Sequence, residues 1–194
     1  MESIQKYYDN TQSNKPRKNV KYFIEEIQHN EGKAIELGCG AGNDTVYLIK
    51  NNWNVLAIDR EDVEERICKR LKPKDIEKFR FQKQSFETLE IEKNDLIVAN
   101  YSLPFCKKYK FEELWNKIKT RITDEGYFIG NFFGLRDSWR EFKTEMTFLS
   151  KEQVMNLFKD FEIIRFEEIE KDALTGLGKM KHWHIYDVIA KKKK

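Results

Sequence analysis

Residues 34 to 42 read A-I-E-L-G-C-G-A-G, an apolar run broken by three alternating glycines, and the helical stretch N-D-T-V-Y-L-I-K-N-N follows at once. Glycines at 38, 40 and 42 allow turn angles that other residues avoid and leave no Cβ between the backbone and an approaching ligand. A strand, a glycine turn and a helix in that order begin an α/β layer rather than a helix bundle or a sandwich.

The rest of the chain keeps that alternation. Val20, Phe23, Ile24 and Ile27 recur at helical spacing behind Pro16, which suits the first turn of a helix. After the glycines come a strand candidate N-V-L-A-I-D (54–59), a charged helix candidate E-D-V-E-E-R-I-C-K-R-L, and short strand candidates at 78–84 and 94–100. A helix presenting Phe111, Leu114, Trp115 and Ile118 on one face leads into G-Y-F-I-G-N-F-F (126–133). Ser150 with Gln153 forms a capping-box pattern ahead of Val154, Leu157 and Phe158. Then F-E-I-I-R-F-E-E-I-E and H-W-H-I-Y-D-V-I-A follow one another across T-G-L-G, the pattern of an antiparallel pair. Nearly continuous apolar strands between helices predict a parallel sheet covered on both faces. The expected fold is α/β: a Rossmann-like, doubly wound sheet of seven strands, mostly parallel, with an antiparallel C-terminal hairpin. With three prolines, nine glycines and no Ser/Gly-rich linker, residues 1–194 are expected to form a single domain. Residues 1–32 form an N-terminal cap region, 134–150 a substrate-side insertion, and 191–194 a solvated lysine tail.

Charge narrows the partners. The net charge of +3 comes from 36 basic and 33 acidic residues, and four of the lysines are the last four residues. Without them the body carries 32 basic against 33 acidic, which argues against a nucleic-acid partner held by a basic face. Cys39, Cys68 and Cys106 are odd in number and widely spaced, so neither a disulfide framework nor a metal site is expected. No apolar run reaches membrane-spanning length and M-E-S-I-Q-K-Y-Y-D-N lacks the core of a signal peptide, so a cytoplasmic protein without membrane contact is expected. Oligomeric state is not encoded in any pattern we find.

The glycine turn also limits its ligand. Its spacing is G-x-G-x-G, with Asn43 where a dinucleotide fingerprint has its third glycine, and Asp44 falls in the first turn of the next helix. A carboxylate there competes with a pyrophosphate for the positive helix end. Asp59, at the end of the second strand and seventeen residues after Gly42, can accept hydrogen bonds from both hydroxyls of a ribose. A nucleoside without phosphate points to S-adenosylmethionine.

E-L-G-C-G-A-G together with Asp59 resembles motifs I and II of the class I S-adenosylmethionine-dependent methyltransferases, over about residues 33 to 190. The resemblance implies that Gly38, Gly40 and Gly42 pass close to the methionine and ribose of the cofactor. It implies further that Glu36 orients the amino end, Asp59 holds the ribose, and Asn100 and Tyr101 lie near the reacting methyl. Where the family carries an acid for the adenine amine this chain has Gln84-Ser85-Phe86, so Ser85 offers a weaker contact and Phe86 either packs on the base or joins the core. Arg17 either pairs with the methionine carboxylate or is an ordinary solvated arginine.

The acceptor is less marked. No N/D-P-P-Y/F turn follows the fourth strand and no Pro-Cys pair is present, which argues against base amino-methylation and cytosine-C5 chemistry. The two segments left for recognition are small and carry Tyr7, Tyr8 and Arg136-Asp137-Ser138-Trp139, so a small-molecule substrate is expected. N-D-T-V-Y-L, S-L-P-F-C, F-G-L-R-D-S-W and K-H-W-H are similar to stretches of small bacterial methyltransferases of the tellurite-resistance type, which methylate small thiol-like or chalcogen substrates. Candidate catalytic residues are His184, His182, Trp139 and Tyr7. The two histidines, two apart on a strand, share a face opposite Trp183; one could act as base, or both could simply pack. Two other functions stay open: an RNA or protein methyltransferase that uses the lysine tail, and a non-catalytic S-adenosylmethionine-binding module.

Overall fold

The computed structural model describes residues 2–194. Helix α1 (Glu2–Thr11) and the short α2 (Lys18–Tyr22), which runs on into a wider π turn at Phe23–Ile27, form the N-terminal cap. Pro16 lies two residues ahead of α2 rather than in its first turn. Arg17 caps the helix in an extended conformation, and its backbone N–H donates to the Asp44 carboxylate at 2.7 Å.

The strands then follow as β1 (Gly32–Leu37), β2 (Trp53–Asp59), β3 (Phe79–Lys83), β4 (Asn94–Ala99) and β5 (Ile122–Gly134), interleaved with α3 (Asn43–Lys50), α4 (Glu64–Cys68) and α5 (Phe111–Arg121). After β5 come β6 (Phe148–Leu149), α6 (Lys151–Leu157), β7 (Phe161–Leu174) and β8 (Met180–Lys192). The sheet order is β3-β2-β1-β4-β5-β8-β7, with β1 to β5 parallel and β5-β8-β7 antiparallel. The seven expected strands are all present. The sheet has an eighth because β6, a two-residue strand inside 134–150, pairs in parallel with Phe133 and Gly134.

Alternation along the strands builds two cores. Ile35, Leu37, Ile97 and Phe128 point to the side covered by Trp115 of α5 and Val154 of α6. Ala34, Val98 and Ile129 point to the side covered by Phe23, Val46 of α3 and Ile67 of α4. Ser150 accepts from the N–H of Gln153 while the Gln153 side chain accepts from the N–H of Ser150, so the capping box is complete.

Two expected elements are shorter or longer than the pattern implied. Only Glu64–Cys68 of the charged stretch is helical: Lys69 caps it, a turn follows through Leu71, and Lys72 ahead of Pro73 is extended (ψ 153°). The lysine tail is partly strand: Lys191 and Lys192 pair with Tyr127 and Phe161 in the sheet, and Lys191 Nζ meets Glu125 at 2.6 Å. Lys193 still donates its N–H to the Asp160 carbonyl at 3.2 Å, which leaves Lys194 outside these contacts.

Candidate functional site: a glycine turn beside an aromatic wall

The parallel strands end together above one edge of the sheet, and the turn after β1 lies at its centre. Gly38, Gly40 and Gly42 all have positive φ, at 70°, 54° and 75°. They do different work. A Cβ on Gly38 would overlap Ser102, and one on Gly42 would overlap Ile67, so those two let the turn pack. Gly40 alone faces a gap: the nearest atom to its missing Cβ is Tyr8 Cε1 at 3.7 Å. The Gly40 N–H donates to Asp59 Oδ2 at 2.8 Å, which places the β2 carboxylate against the turn.

Two observations fit a ligand that presents hydroxyls here. The Asp59 carboxylate is buried but supplied only by uncharged donors, from Gly40, Glu61 and Tyr8. Ser102 Oγ, beside Gly38, is buried with no hydrogen-bond partner among the described residues. Behind the turn, Glu36 is buried and accepts from the Thr45 hydroxyl. Burial, then the neighbouring Asp44 charge, pushes its carboxyl well above the usual range.

A buried polar network ties the turn to the next strands. Asn100 donates to Asp44 at 2.9 Å and exchanges hydrogen bonds with Asn19 of α2, which also donates to Asp187 of β8 at 2.9 Å. Burial lifts the Asp187 carboxyl to about 6. Tyr101 leaves β4 in the left-handed region (φ 51°), held there by its N–H donating to Asn131 Oδ1 at 2.8 Å. The Arg17 guanidinium lies 4.3 Å above the Tyr101 ring, and no carboxylate of the described residues comes within ion-pair distance of it.

From Tyr101 the site continues as an aromatic wall. Its ring meets Trp183 edge-on at 5.8 Å and Phe133 at 6.3 Å, and Trp139 sits 5.7 Å from Trp183 and 6.1 Å from Phe133. Inside this wall the Lys181 ammonium lies 3.8 Å from the Trp183 ring and 4.7 Å from Trp139, in an ion pair with Asp137. Both partners are almost fully buried, with side chains 1% and 0% exposed. Burial lowers the lysine's pKa and Asp137 pulls it part of the way back.

The structure thus gathers Arg17, Gly38, Gly40, Gly42, Glu36, Asp59, Asn100, Tyr101 and Trp139 along one edge, on the α1–α2 side. It does not bring the histidines there. His182 and His184 point to the other face of the hairpin. His184 Nδ1 accepts from the Arg136 N–H at 3.1 Å, and its Nε2 meets Glu168 at 3.0 Å. His182 sits between Asp172 and Glu170. Both rings are taken up by hairpin contacts, as in the second of their two readings, because strand alternation sends them away from Trp183. Phe86 packs against the α5-side core, in keeping with the second of its two readings, and Ser85 caps the short turn that carries it. Tyr7 packs edge-on against Tyr8 and abuts Gly176 at the tip of the β7–β8 hairpin.

Sequence reasoning missed Tyr8 as the partner of Asp59, although Ile4, Tyr8 and Thr11 share a helical face that would have marked the inward side. It also missed Lys181 with Asp137. Forty-four positions separate them, and no local pattern joins two such residues.

The family model described as tellurite resistance protein TehB matches residues 3–175. No curated protein sequence matches. Among solved structures, TehB from Haemophilus influenzae superposes with a TM-score of 0.72 at 17% identity, covering 91% of this chain and 62% of that one. This chain therefore spans under two thirds of the Haemophilus protein. The 1,6-didemethyltoxoflavin-N1-methyltransferase of Burkholderia thailandensis, bound to 1,6-didemethyltoxoflavin and S-adenosylhomocysteine, gives 0.71 at 14% identity over 100% of this chain and 86% of that one. The N-methyltransferase NodS of Bradyrhizobium japonicum WM9, in complex with S-adenosylhomocysteine, gives 0.67 at 12% identity over 100% and 98%. At these identities the structures establish a shared fold.

Proposed function

The chain belongs to the tellurite resistance protein TehB family, and from that premise we propose that it transfers a methyl group from S-adenosylmethionine to a small-molecule acceptor. The observation that carries this reading is the open Gly40 turn hydrogen-bonded to Asp59 with an aromatic wall beside it. When bound, the cofactor supplies a methyl carbon that is already electrophilic. What the protein must do is hold the two reactants in line and keep water out.

The parts divide accordingly. Asp59 takes the ribose, the Gly38–Gly42 turn lets the chain of the cofactor lie on the backbone, and Arg17 offers its guanidinium to the methionine carboxylate. Glu36 stands behind the turn toward the amino end, and Ser102 Oγ has a free donor and acceptor to give. Asn100 and Tyr101 border the methyl. Tyr101 is shared, since Arg17 covers one side of its ring and Trp183 meets it on the acceptor side. Phe133, Trp139 and Trp183 form the acceptor wall, and α1 with the hairpin tip flanks the site. The lysine tail gives a macromolecular substrate little to hold, because Lys191 and Lys192 are occupied in the sheet. A cytoplasmic location accords with this reading; among the described residues no helix is long and apolar enough to cross a membrane.

S-adenosylhomocysteine should raise the melting temperature and NAD should not, because only a ligand selective for the native site stabilises it by mass action. Asp59→Ala should weaken S-adenosylhomocysteine binding by about 1.5 to 3 kcal/mol, the weight of hydrogen bonds to a charged group. A thermal shift with NAD alone, or calorimetry showing equal affinity in Asp59→Ala, would refute the cofactor assignment.

Trp139→Ala should separate the two halves of the site. Once a screen with methyl-labelled S-adenosylmethionine yields an acceptor, the variant is expected to lose turnover, on the order of a hundredfold for a misplacement of about 1 Å. Its cofactor affinity should stay within about threefold, a difference under 1 kcal/mol. The reverse pattern would put the acceptor elsewhere.

A further inference from the structure

We propose that Tyr8 is a built-in competitor for the cofactor, occupying with its own hydroxyl one of the acceptor positions on Asp59 that a ribose needs, so that binding requires α1 to yield. The inference rests on the reading of Asp59 as the ribose acceptor.

A carboxylate offers about four lone-pair positions. On Asp59, Oδ1 accepts from Tyr8 Oη at 3.1 Å and from the Glu61 N–H at 3.1 Å, while Oδ2 accepts from the Gly40 N–H at 2.8 Å. One position is left, and a ribose diol uses two. Gly40 and Glu61 are backbone donors next to the carboxylate and hold it in place. Tyr8 is the one side-chain donor of the three, carried on a helix outside the strands and turn that hold the other two, and it can depart.

Its position is more than a hydrogen bond. Tyr8 is 3% exposed, and its ring edge lies 3.7 Å from the point where Gly40 would carry a Cβ, so it covers the backbone that the glycine leaves open. Burial, then the Asp59 charge, raises the phenol above its ordinary range, which keeps the hydroxyl a donor.

The rest of α1 is held by Ile4 and Tyr7, which pack against the core, and by polar contacts. Arg66 of α4 reaches Asp9 at 2.8 Å and Gln12 at 2.6 Å, Asn43 donates to the Thr11 carbonyl at 2.8 Å, and Asn10 donates to the Gly176 carbonyl at 3.0 Å. Exposed contacts of this kind are individually weak. The closed helix therefore lowers apparent affinity by the fraction of molecules in which it is open.

Calorimetry with S-adenosylhomocysteine tests this on the whole protein. Tyr8→Phe keeps the ring and removes the competing hydroxyl, and should bind about fivefold tighter, the weight of one net hydrogen bond. Arg66→Ala, which leaves Tyr8 intact and frees two fastenings, should also bind tighter and associate faster. In the wild type, ligand should speed amide exchange within residues 2–11 while slowing it at 38–42. Equal or weaker binding by both variants overturns the proposal, since the hydroxyl would then be neutral or would serve the bound ligand. Absence of binding by the wild type would overturn the cofactor reading itself, and Asp59→Ala, which loses affinity on that reading whatever Tyr8 does, separates the two failures.

Discussion

Lys181→Ala is expected to cost the protein about 3 to 5 kcal/mol of stability, the range for breaking a buried ion pair from one side. That is a large share of the roughly 5 to 15 kcal/mol that holds a typical domain folded. The loss follows from what stays behind. Asp137 keeps two backbone donors, the N–H groups of Trp139 at 3.0 Å and His184 at 3.3 Å, but its charge would have no cation in a site that excludes water. The double variant Lys181→Met with Asp137→Asn removes both charges and keeps an oxygen for the Trp139 N–H. It should recover most of the stability in urea unfolding. A single-variant loss below about 1 kcal/mol would mean that the pair behaves as a solvated surface bridge.

The second large effect is on binding. Gly40→Val should reduce S-adenosylhomocysteine affinity by about a hundredfold or more, equivalent to roughly 3 kcal/mol. A β-branched residue at φ 54° is strained, by about 1 to 3 kcal/mol, and its methyls project over the turn that the ligand must approach. Because no atom lies closer than 3.7 Å to the new Cβ, the fold should survive, with near-ultraviolet circular dichroism unchanged in form. Full affinity in a folded Gly40→Val protein would remove the glycine turn from the site.

The order of elements and the glycine turn with its acid were legible because they are local. A glycine turn sits between a strand and a helix, and an acid ends the next strand, all within 34–59. Period-two alternation also told which face His182, Trp183 and His184 take, although not which face carries the site. What the sequence hid was made by contacts between distant segments. Lys181 gains its meaning from Asp137, and Asn100 from Asn19, Asp44 and Asp187. β6 is two residues long and exists only because the end of β5 offers it an edge. The lysine run looked like a free tail because its composition is that of one; register with β5 and β7 made half of it strand.

The contact between Asn10 and Gly176 spans 166 positions of sequence, so one fastening of α1 has to wait for a segment made much later. α1 leaves the ribosome well before the hairpin tip that it rests on. Long-range closures of this kind wait until the intervening chain has folded. α1 can thus settle early on Asn43, Asp59 and Arg66, while its fastening to the hairpin tip closes only after most of the sheet is made.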